Sequence, residues 1–292
     1  MAAHHRLLPD GRLHLQHGPI DLIAEAEGAP DAVAEAHRRA IARFDGLLEE
    51  LVTELPMLRQ PARPAADCTL RGSIARRMGE AARAHLPAFV TPMAAVAGAV
   101  AEAVLAAMVA GRGILRAYVN NGGDIALHLT LGAAPWRLAI MVDPFAPASP
   151  GRLDIAPTDP WRGVATSGAK GRSHSLGIAD SVTIVADTAP AADVAATLLA
   201  NAVDLPGDPA ITRRPACELW PDSDLGDRLV TTHVARLDPA RIARALDAGE
   251  AAAQPMCAHG RIGGAALVLQ GTVRLVGALP LIRTQPRMAL HG

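Results

Sequence analysis

Three stretches of the chain carry side chains that could act together on a phosphorylated ligand. The first is Asn120-Asn121-Gly122-Gly123-Asp124, which follows a run of strand-forming residues. Adjacent glycines tolerate positive φ and let the backbone come close to a ligand. The two amides can donate and accept, and Asp124 can hold a ribose hydroxyl or a metal-bound water. The same Asn-Gly pair is also the strongest signal for a tight hairpin turn. The second stretch runs from Thr166 to His174. It gathers the hydroxyls of Thr166, Ser167 and Ser173, the backbone of Gly168 and Gly171, the cations Lys170 and Arg172, and an imidazole. Hydroxyls and N–H groups donate to phosphate while cations neutralise it, although the spacing is not that of a Walker loop. Lys170 is the only lysine in the chain, so a compact ammonium is wanted there; otherwise the segment is a solvated loop. The third stretch places Asp193, Thr197 and Asn201 at i, i+4 and i+8, on one face of an expected helix. A carboxylate one turn from a hydroxyl offers Mg²⁺ a pair of oxygen ligands. The simpler reading is that Asp193 serves the dipole of its own helix.

The other titratable residues give less. His4, His5, His14 and His17 cluster near the N-terminus without ligand spacing, and His128, His233 and His259 are isolated. There is no Gly-x-Ser-x-Gly elbow and no cysteine in a nucleophile motif.

These stretches need elements to position them. Partial alternation predicts a hairpin from Arg12–His17 and Ile20–Glu25 around a His-Gly-Pro turn. Helical spacing then predicts one long helix over Asp31–Leu58, a Pro-rich linker over Gln60–Asp67, and a helix over Ser73–His85. From about Met93 an Ala-rich helix follows. It has a stripe of Val96, Val100, Val104 and Met108, with Glu102 opposite and a small-residue face of Ala94, Ala97, Gly98 and Ala101. The period then changes from 3.6 to 2. Strands are expected at Ile114–Val119, Ile125–Thr130, Trp136–Val142, Leu153–Ile155, Gly163–Thr166 and Ser181–Ala186. A helix over Ala191–Val203 leads to a second Pro-rich linker, Asp204–Pro215. The tail reads as a strand (Leu229–Val234), a short helix (Pro239–Ala248) and strands over Ala265–Val276. Helices in a block and strands in meanders indicate an α+β fold.

Composition narrows the function classes. The chain has 292 residues, half of them apolar and a fifth charged, which excludes disorder and supports a sizeable core. A net charge of −1 supplies no overall field for nucleic acid or an anionic membrane. Seven aromatics in all argue against a stacking platform for single-stranded nucleic acid. Cys68, Cys217 and Cys257 lie far apart, as befits free thiols in a reducing compartment. The N-terminal residues have no apolar signal core, so a cytoplasmic location is expected. Met93–Gly111 approaches the ~20 apolar residues of a membrane span. It carries Glu102 and is rich in Ala and Gly, so a buried core helix is expected instead.

Taken in order, the three stretches resemble the ApbE-like superfamily, whose named members are Mg²⁺-dependent FAD:protein FMN transferases. The Asn120–Asp124 turn, the Ala165-Thr166-Ser167-Gly168 segment, the Ser181-Val182-Thr183-Ile184-Val185 strand and the Ala192-Asp193…Thr197 helix each look like a family motif. The resemblance implies one ApbE-like domain over residues 1–292, with sub-lobes at 1–60 and 205–292 around a 70–203 core. It also implies mixed or antiparallel sheets with packed helices and one ligand cleft. It implies Mg²⁺ held by Asp193, Thr197 and the main-chain carbonyl of Ala94. FAD would contact Asn120, Asn121, Gly122, Gly123, Asp124, Thr166, Ser167, Gly168, Lys170 and Arg172, and His174 would act as general base. The chain departs from the family at Thr91, where the family has Asp, and at Ala97, where it has Lys or Glu. This points to a divergent cytoplasmic branch. The expected function is FMN transfer or cleavage of the FAD pyrophosphate. The alternatives are cofactor biosynthesis with another phosphorylated ligand on the same scaffold, and a non-catalytic flavin or nucleotide carrier. The expected partner is a small phosphorylated cofactor, with no nucleic acid or membrane and with a homodimer compatible with the Ala-rich helices.

Overall fold

A computed structural model of the chain describes residues 3–67, 69–139, 151–171, 173–279 and 281–283. Arg172, Cys68 and the end of the strand expected at Trp136–Val142 lie outside these residues.

The N-terminal hairpin is extended by one strand. The chain opens with β1 (His4–Leu7), β2 (Leu13–His17) and β3 (Ile20–Gly28). On β2, Leu13, Leu15 and His17 are buried while the residues between them are partly or fully exposed, as alternation requires of a strand with one face on the core. The long helix expected next is two helices, α1 (Pro30–Phe44) and α2 (Leu47–Leu58). Gly46 between them has φ 75°, a left-handed conformation that ends α1 and lets the chain restart. The periodicity ran on across the break because Ala40, Phe44, Leu47 and Leu51 all enter the same core.

After α3 (Ser73–Arg83), a single 3₁₀ turn (Pro92–Ala95) leads into α4 (Val96–Val109). Val100, Val104 and Met108 of α4 are fully buried, and Glu102 lies 3.1 Å from Arg77 on the outer side. Pro92–Val109 is apolar and long enough to cross a membrane by composition. Here it packs against the sheet, α1 and the next long helix, as expected of a core helix.

The strands that follow are β4 (Ile114–Asn121), β5 (Asp124–Leu129), β6 (Trp136–Ala139), β7 (Gly151–Ile155), β8 (Gly163–Ser167) and β9 (Ser181–Ala186). Then come α5 (Ala189–Ala202), β10 (Ile211–Pro215), the one-turn α6 (Ala216–Leu219), β11 (Leu229–Val234), α7 (Pro239–Ala258), β12 (Gly264–Leu269), β13 (Thr272–Gly277) and β14 (Leu281–Arg283). Two expectations are corrected here. The linker over Asp204–Pro215 contains β10, which pairs with β11 in an antiparallel ribbon; its Thr212-Arg213-Arg214 centre carries no apolar signal. The helix expected to stop at Ala248 continues for ten more residues; Gly249 lies inside it as a close-packing position, where a Cβ would meet Val203 and Leu267.

Nine strands form one antiparallel sheet in the order β1-β2-β3-β4-β5-β8-β9-β12-β13. The helices pack on one face. One helical core joins α1–α4 to β2–β5, and a second joins α5 and α7 to β8, β9 and β12. On the opposite face Leu127, Val164, Val185 and Ala266 meet Trp136, Leu153 and Ile155 of the small β6-β7-β14 sheet. Strands covered on both sides become continuously apolar, which accounts for the complete burial of β9 and β12. This is the expected α+β fold. It brings the start of α4, the start of α5 and the β4–β5 turn to one place.

Candidate active site

The β4–β5 turn is both a hairpin and a wall of a cleft. Asn121 and Asp124 pair across it. Gly122 and Gly123 supply positive φ values of 66° and 118°, and the Gly123 N–H donates to Asn120 Oδ1 at 2.9 Å. The Asn120 amide thus closes the turn. Asn121 is buried, and its Nδ2 donates to the Ala97 carbonyl at 3.2 Å, which ties the turn to α4. Asp124 Oδ1 accepts the Thr166 N–H at 3.3 Å.

Asp193 does not serve its own helix. Its Oδ2 accepts the Gly98 N–H at 2.9 Å, and the Ala97 N–H donates to the same carboxyl. A carboxylate of α5 therefore occupies the N-terminus of α4, where free N–H groups and the helix dipole favour an anion. The approach of the two helices depends on Gly98, since a Cβ there would fall on the Ala189 carbonyl. Burial, and then the charge of Asp124, push the Asp193 carboxyl well above the usual carboxylate range. Asp124 is pushed up to about 7 by burial, against the pull of the Thr166 N–H.

Around these carboxyls lies a cleft of about 370 Å³. Of the residues expected to form the site, Asp124, Thr166, Ser167, His174, Asp193, Thr197 and Ala94 line it. The Thr166 hydroxyl is engaged 2.9 Å from that of Thr183, whereas that of Ser167 has no hydrogen-bond partner among the described residues. Asn201 also lines the cleft. Its Oδ1 accepts the Leu176 N–H at 2.9 Å and so holds the loop that carries His174. His174 is exposed at the mouth, 6.4 Å from the Trp220 ring in an edge-on arrangement.

The structure does not bring all the expected residues together. Asn120, Asn121, Gly122 and Gly123 shape the turn without lining the cleft. Gly168 is packed against the Asp180 backbone, where a Cβ would sit 2.5 Å from the carbonyl oxygen. Lys170 lies outside the lining; its Nζ is 3.8 Å from Asp180 Oδ2. Arg172 lies outside the described residues. Thr91, noted in the sequence only as a departure from the family, lines the cleft too. Sequence reasoning missed Arg59 at the end of α2, and Phe89, Trp220, Asp222 and Asp224, all of which line it. The only signal for the last group was a tryptophan followed closely by two aspartates in a polar stretch.

Next to one another at the α4–α5 end of the cleft stand hard oxygen donors, the Asp124 and Asp193 carboxyls and the Thr197 hydroxyl, with the Ala94 main chain also in the lining. Among the described residues no three acidic, His or Cys side chains converge on one point. A cation would therefore need the hydroxyl and a main-chain carbonyl as well, as suits Mg²⁺, which keeps several waters and takes few protein ligands.

A family model described as AbpE bacteria matches residues 5–275. The chain belongs to this family. The match covers nearly all of the large sheet and every wall of the cleft, and it agrees with the ApbE-like motifs in the sequence. Relatives named UPF0280 protein are found in archaea. One from Methanopyrus kandleri is 32% identical over 233 residues, covering 78% of this chain and 87% of the relative. Those from Methanocella arvoryzae and Archaeoglobus fulgidus are 36% and 38% identical, covering 56% and 45% of this chain. These last two matches span 64% and 51% of the relatives' own lengths. The crystal structure of the Pseudomonas stutzeri flavinyl transferase ApbE in its apo form is 14% identical with a TM-score of 0.45, covering 97% of this chain and 94% of that one. The flavin transferase ApbE from Vibrio cholerae is 14% identical with a TM-score of 0.37, over 96% and 99% of the two chains.

Proposed function

We propose that the cleft binds FAD, or a closely related flavin nucleotide, together with Mg²⁺, and that the protein is an enzyme of ApbE type. It would transfer FMN to a hydroxyl acceptor or cleave the FAD pyrophosphate. The observation that carries this reading is the Asp124–Asp193 pair. Two carboxyls on separate elements, Asp193 buried and Asp124 half-buried, one raising the proton affinity of the other, are costly unless a cation shares them. Asp193 and Thr197 would hold the ion, with Asp124 facing it and Ala94 offering its carbonyl. Mg²⁺ bound there would polarise phosphoryl oxygens and neutralise their charge.

The protein's own groups divide the remaining tasks. Ser167 offers a hydroxyl donor to phosphate. Arg59, which has no carboxylate partner among the described residues, offers the fixed positive charge that sequence reasoning had given to Lys170. In transfer, the acceptor oxygen bonds to the phosphorus of the FMN half and the bond from that phosphorus to the AMP oxygen breaks. The acceptor proton passes to His174, whose position at the mouth suits a group that must meet an incoming acceptor.

Calorimetric titration with FAD, with and without Mg²⁺, followed by mass analysis of the ligand, tests the reading. Mg²⁺-dependent binding with release of AMP or FMN is the expected result. Failure to bind FAD in either condition would overturn it, and binding without turnover in the presence of hydroxyl acceptors would reduce the protein to a carrier.

A further inference from the structure

We propose that residues 216–228, the connection between β10 and β11, form the wall of the cleft that receives a planar heteroaromatic ring, with Trp220 as the stacking platform. This rests on the reading of the cleft as a flavin nucleotide site, and it assigns the ring end of such a ligand to a segment that no sequence motif marks.

The segment is built to hold a fixed position. At its base the Ala216 N–H donates to the Arg228 carbonyl and the Cys217 N–H to the Gly226 carbonyl, both at 2.9 Å. Inside it the Trp220 N–H donates to Ala216, and the Ser223 N–H to the Trp220 carbonyl, again at 2.9 Å. Two contacts then pin it across the cleft to the stretch before α4. The Thr91 hydroxyl donates to the Asp224 carboxylate, and the Arg228 guanidinium lies 3.3 Å from the centre of the Phe89 ring.

Trp220 is 64% exposed. The other described aromatics have different duties. Phe44 and Trp136 are buried, Tyr118 and Trp161 pack against the core on the far side of the sheet, and Phe89 carries Arg228. An indole left this open loses the burial that an aromatic side chain ordinarily gains. His174 meets it at 72°, an edge-on contact that orients the ring without covering a face. A ligand ring sliding over the indole would bury both faces in contact, and with the phosphate end at Arg59 and the carboxyls the ligand would span the cleft. Stacking of this kind is sequence- and substituent-tolerant, so the platform selects for ring planarity and area, while the carboxyl end selects for phosphate.

The test uses the full-length protein in Mg²⁺ with three probes: FAD, riboflavin (a ring without phosphate) and pyrophosphate (phosphate without a ring). FAD and riboflavin should quench tryptophan emission in the native protein. Trp220→Ala should weaken FAD about tenfold or more and leave pyrophosphate affinity unchanged, while Trp220→Phe should keep most of the FAD affinity. At this exposure the thermal midpoint should not move, which separates loss of the platform from loss of the fold. If native protein binds FAD and Trp220→Ala binds it equally well, the platform assignment falls and the flavin reading stands. If native protein binds pyrophosphate but neither flavin, the flavin reading falls and the platform with it.

Discussion

Replacing Asp193 by Asn probes the carboxyl pair directly, because the two readings of Asp193 predict opposite signs. The amide is close in shape to the carboxyl, and its oxygen can still accept the Gly98 N–H, which now reaches Asp193 Oδ2 at 2.9 Å. What disappears is a buried negative charge next to Asp124. A carboxyl whose proton affinity rises on folding stabilises the fold while protonated. That contribution is complete below the unfolded value near 3.8 and is lost as pH rises through the folded value. For Asp124 the folded value is about 7, so without a cation this one group carries a burden on the order of 4 kcal/mol at pH 8. Removing one member should relieve part of it, about 1–3 kcal/mol. Thermal unfolding in chelator is the assay, with native and variant protein compared at each pH so that titrating groups common to both cancel. The variant should come nearest to the native protein below about pH 4 and exceed it at pH 8 by about 4 °C, at roughly 2 °C per kcal/mol for a chain of this size. Millimolar Mg²⁺ should raise the midpoint of the native protein at pH 8 and leave the variant unmoved. A variant less stable than native at pH 8 in chelator would refute the reasoning, since the Asp193 charge would then be a net stabilising cap and not a cation ligand awaiting its ion.

Three other outcomes follow from the geometry. Gly98→Ala gains helix propensity, up to ~1 kcal/mol, but its Cβ meets the Ala189 carbonyl; a net loss of about 1–3 kcal/mol is expected in urea unfolding, and a gain would show that the helices are not in close approach. Arg59→Ala should weaken FAD at least about tenfold, whereas Lys170→Ala should change it less than about twofold because Lys170 faces Asp180; a larger effect of Lys170→Ala in the same titration would restore the phosphate role suggested by the sequence. His85 is buried, with its Nδ1 lacking a hydrogen-bond partner, and burial with the nearby Arg261 lowers it to about 4. The fold therefore needs it neutral, and stability should fall as pH drops from 6.5 towards 4, by about 1–2 kcal/mol after allowance for solvent. His85→Leu should flatten this acid limb, and an unchanged limb would mean that the ring protonates without cost.

The parts legible in the sequence were those with a local cause. Partial alternation found β2 and β3, short continuous apolar runs found β8 and β9, and the i, i+4 spacing correctly put Asp193 and Thr197 on one helix face. The Asp45-Gly46 break was passed over because both flanking helices feed one core, so the apolar period survives a turn that only φ at Gly46 reveals. Long-range placement was not legible. Lys170, singled out as the lone lysine, is turned to Asp180 by a reversal at Gly168 that packs on the Asp180 backbone. Trp220 and Asp224 reach the cleft because the polar β10–β11 ribbon carries their connection back to Phe89 and Thr91, and a two-stranded ribbon with mixed exposure leaves almost no hydrophobic period to detect.

The use made of the α4 N-terminus sets the electrostatics of the whole cleft. Free N–H groups at the start of a helix ordinarily provide a ready anion site for a ligand phosphate. Here the Ala97 and Gly98 N–H groups are taken by Asp193, so the protein fills its own anion site with a carboxylate. The backbone dipole that could have bound phosphate instead lowers the cost of burying a negative charge, and the cleft then presents Asp193 and Asp124 to its interior. Phosphate cannot approach these carboxylates without a positive charge between them, and the fixed charge at hand is Arg59. On the proposed reading, anion binding beside the carboxyl pair would draw on Arg59 and on a cation held by the pair, and the affinity for the phosphate end of a ligand should rise with Mg²⁺ concentration much more steeply than the affinity for its ring end.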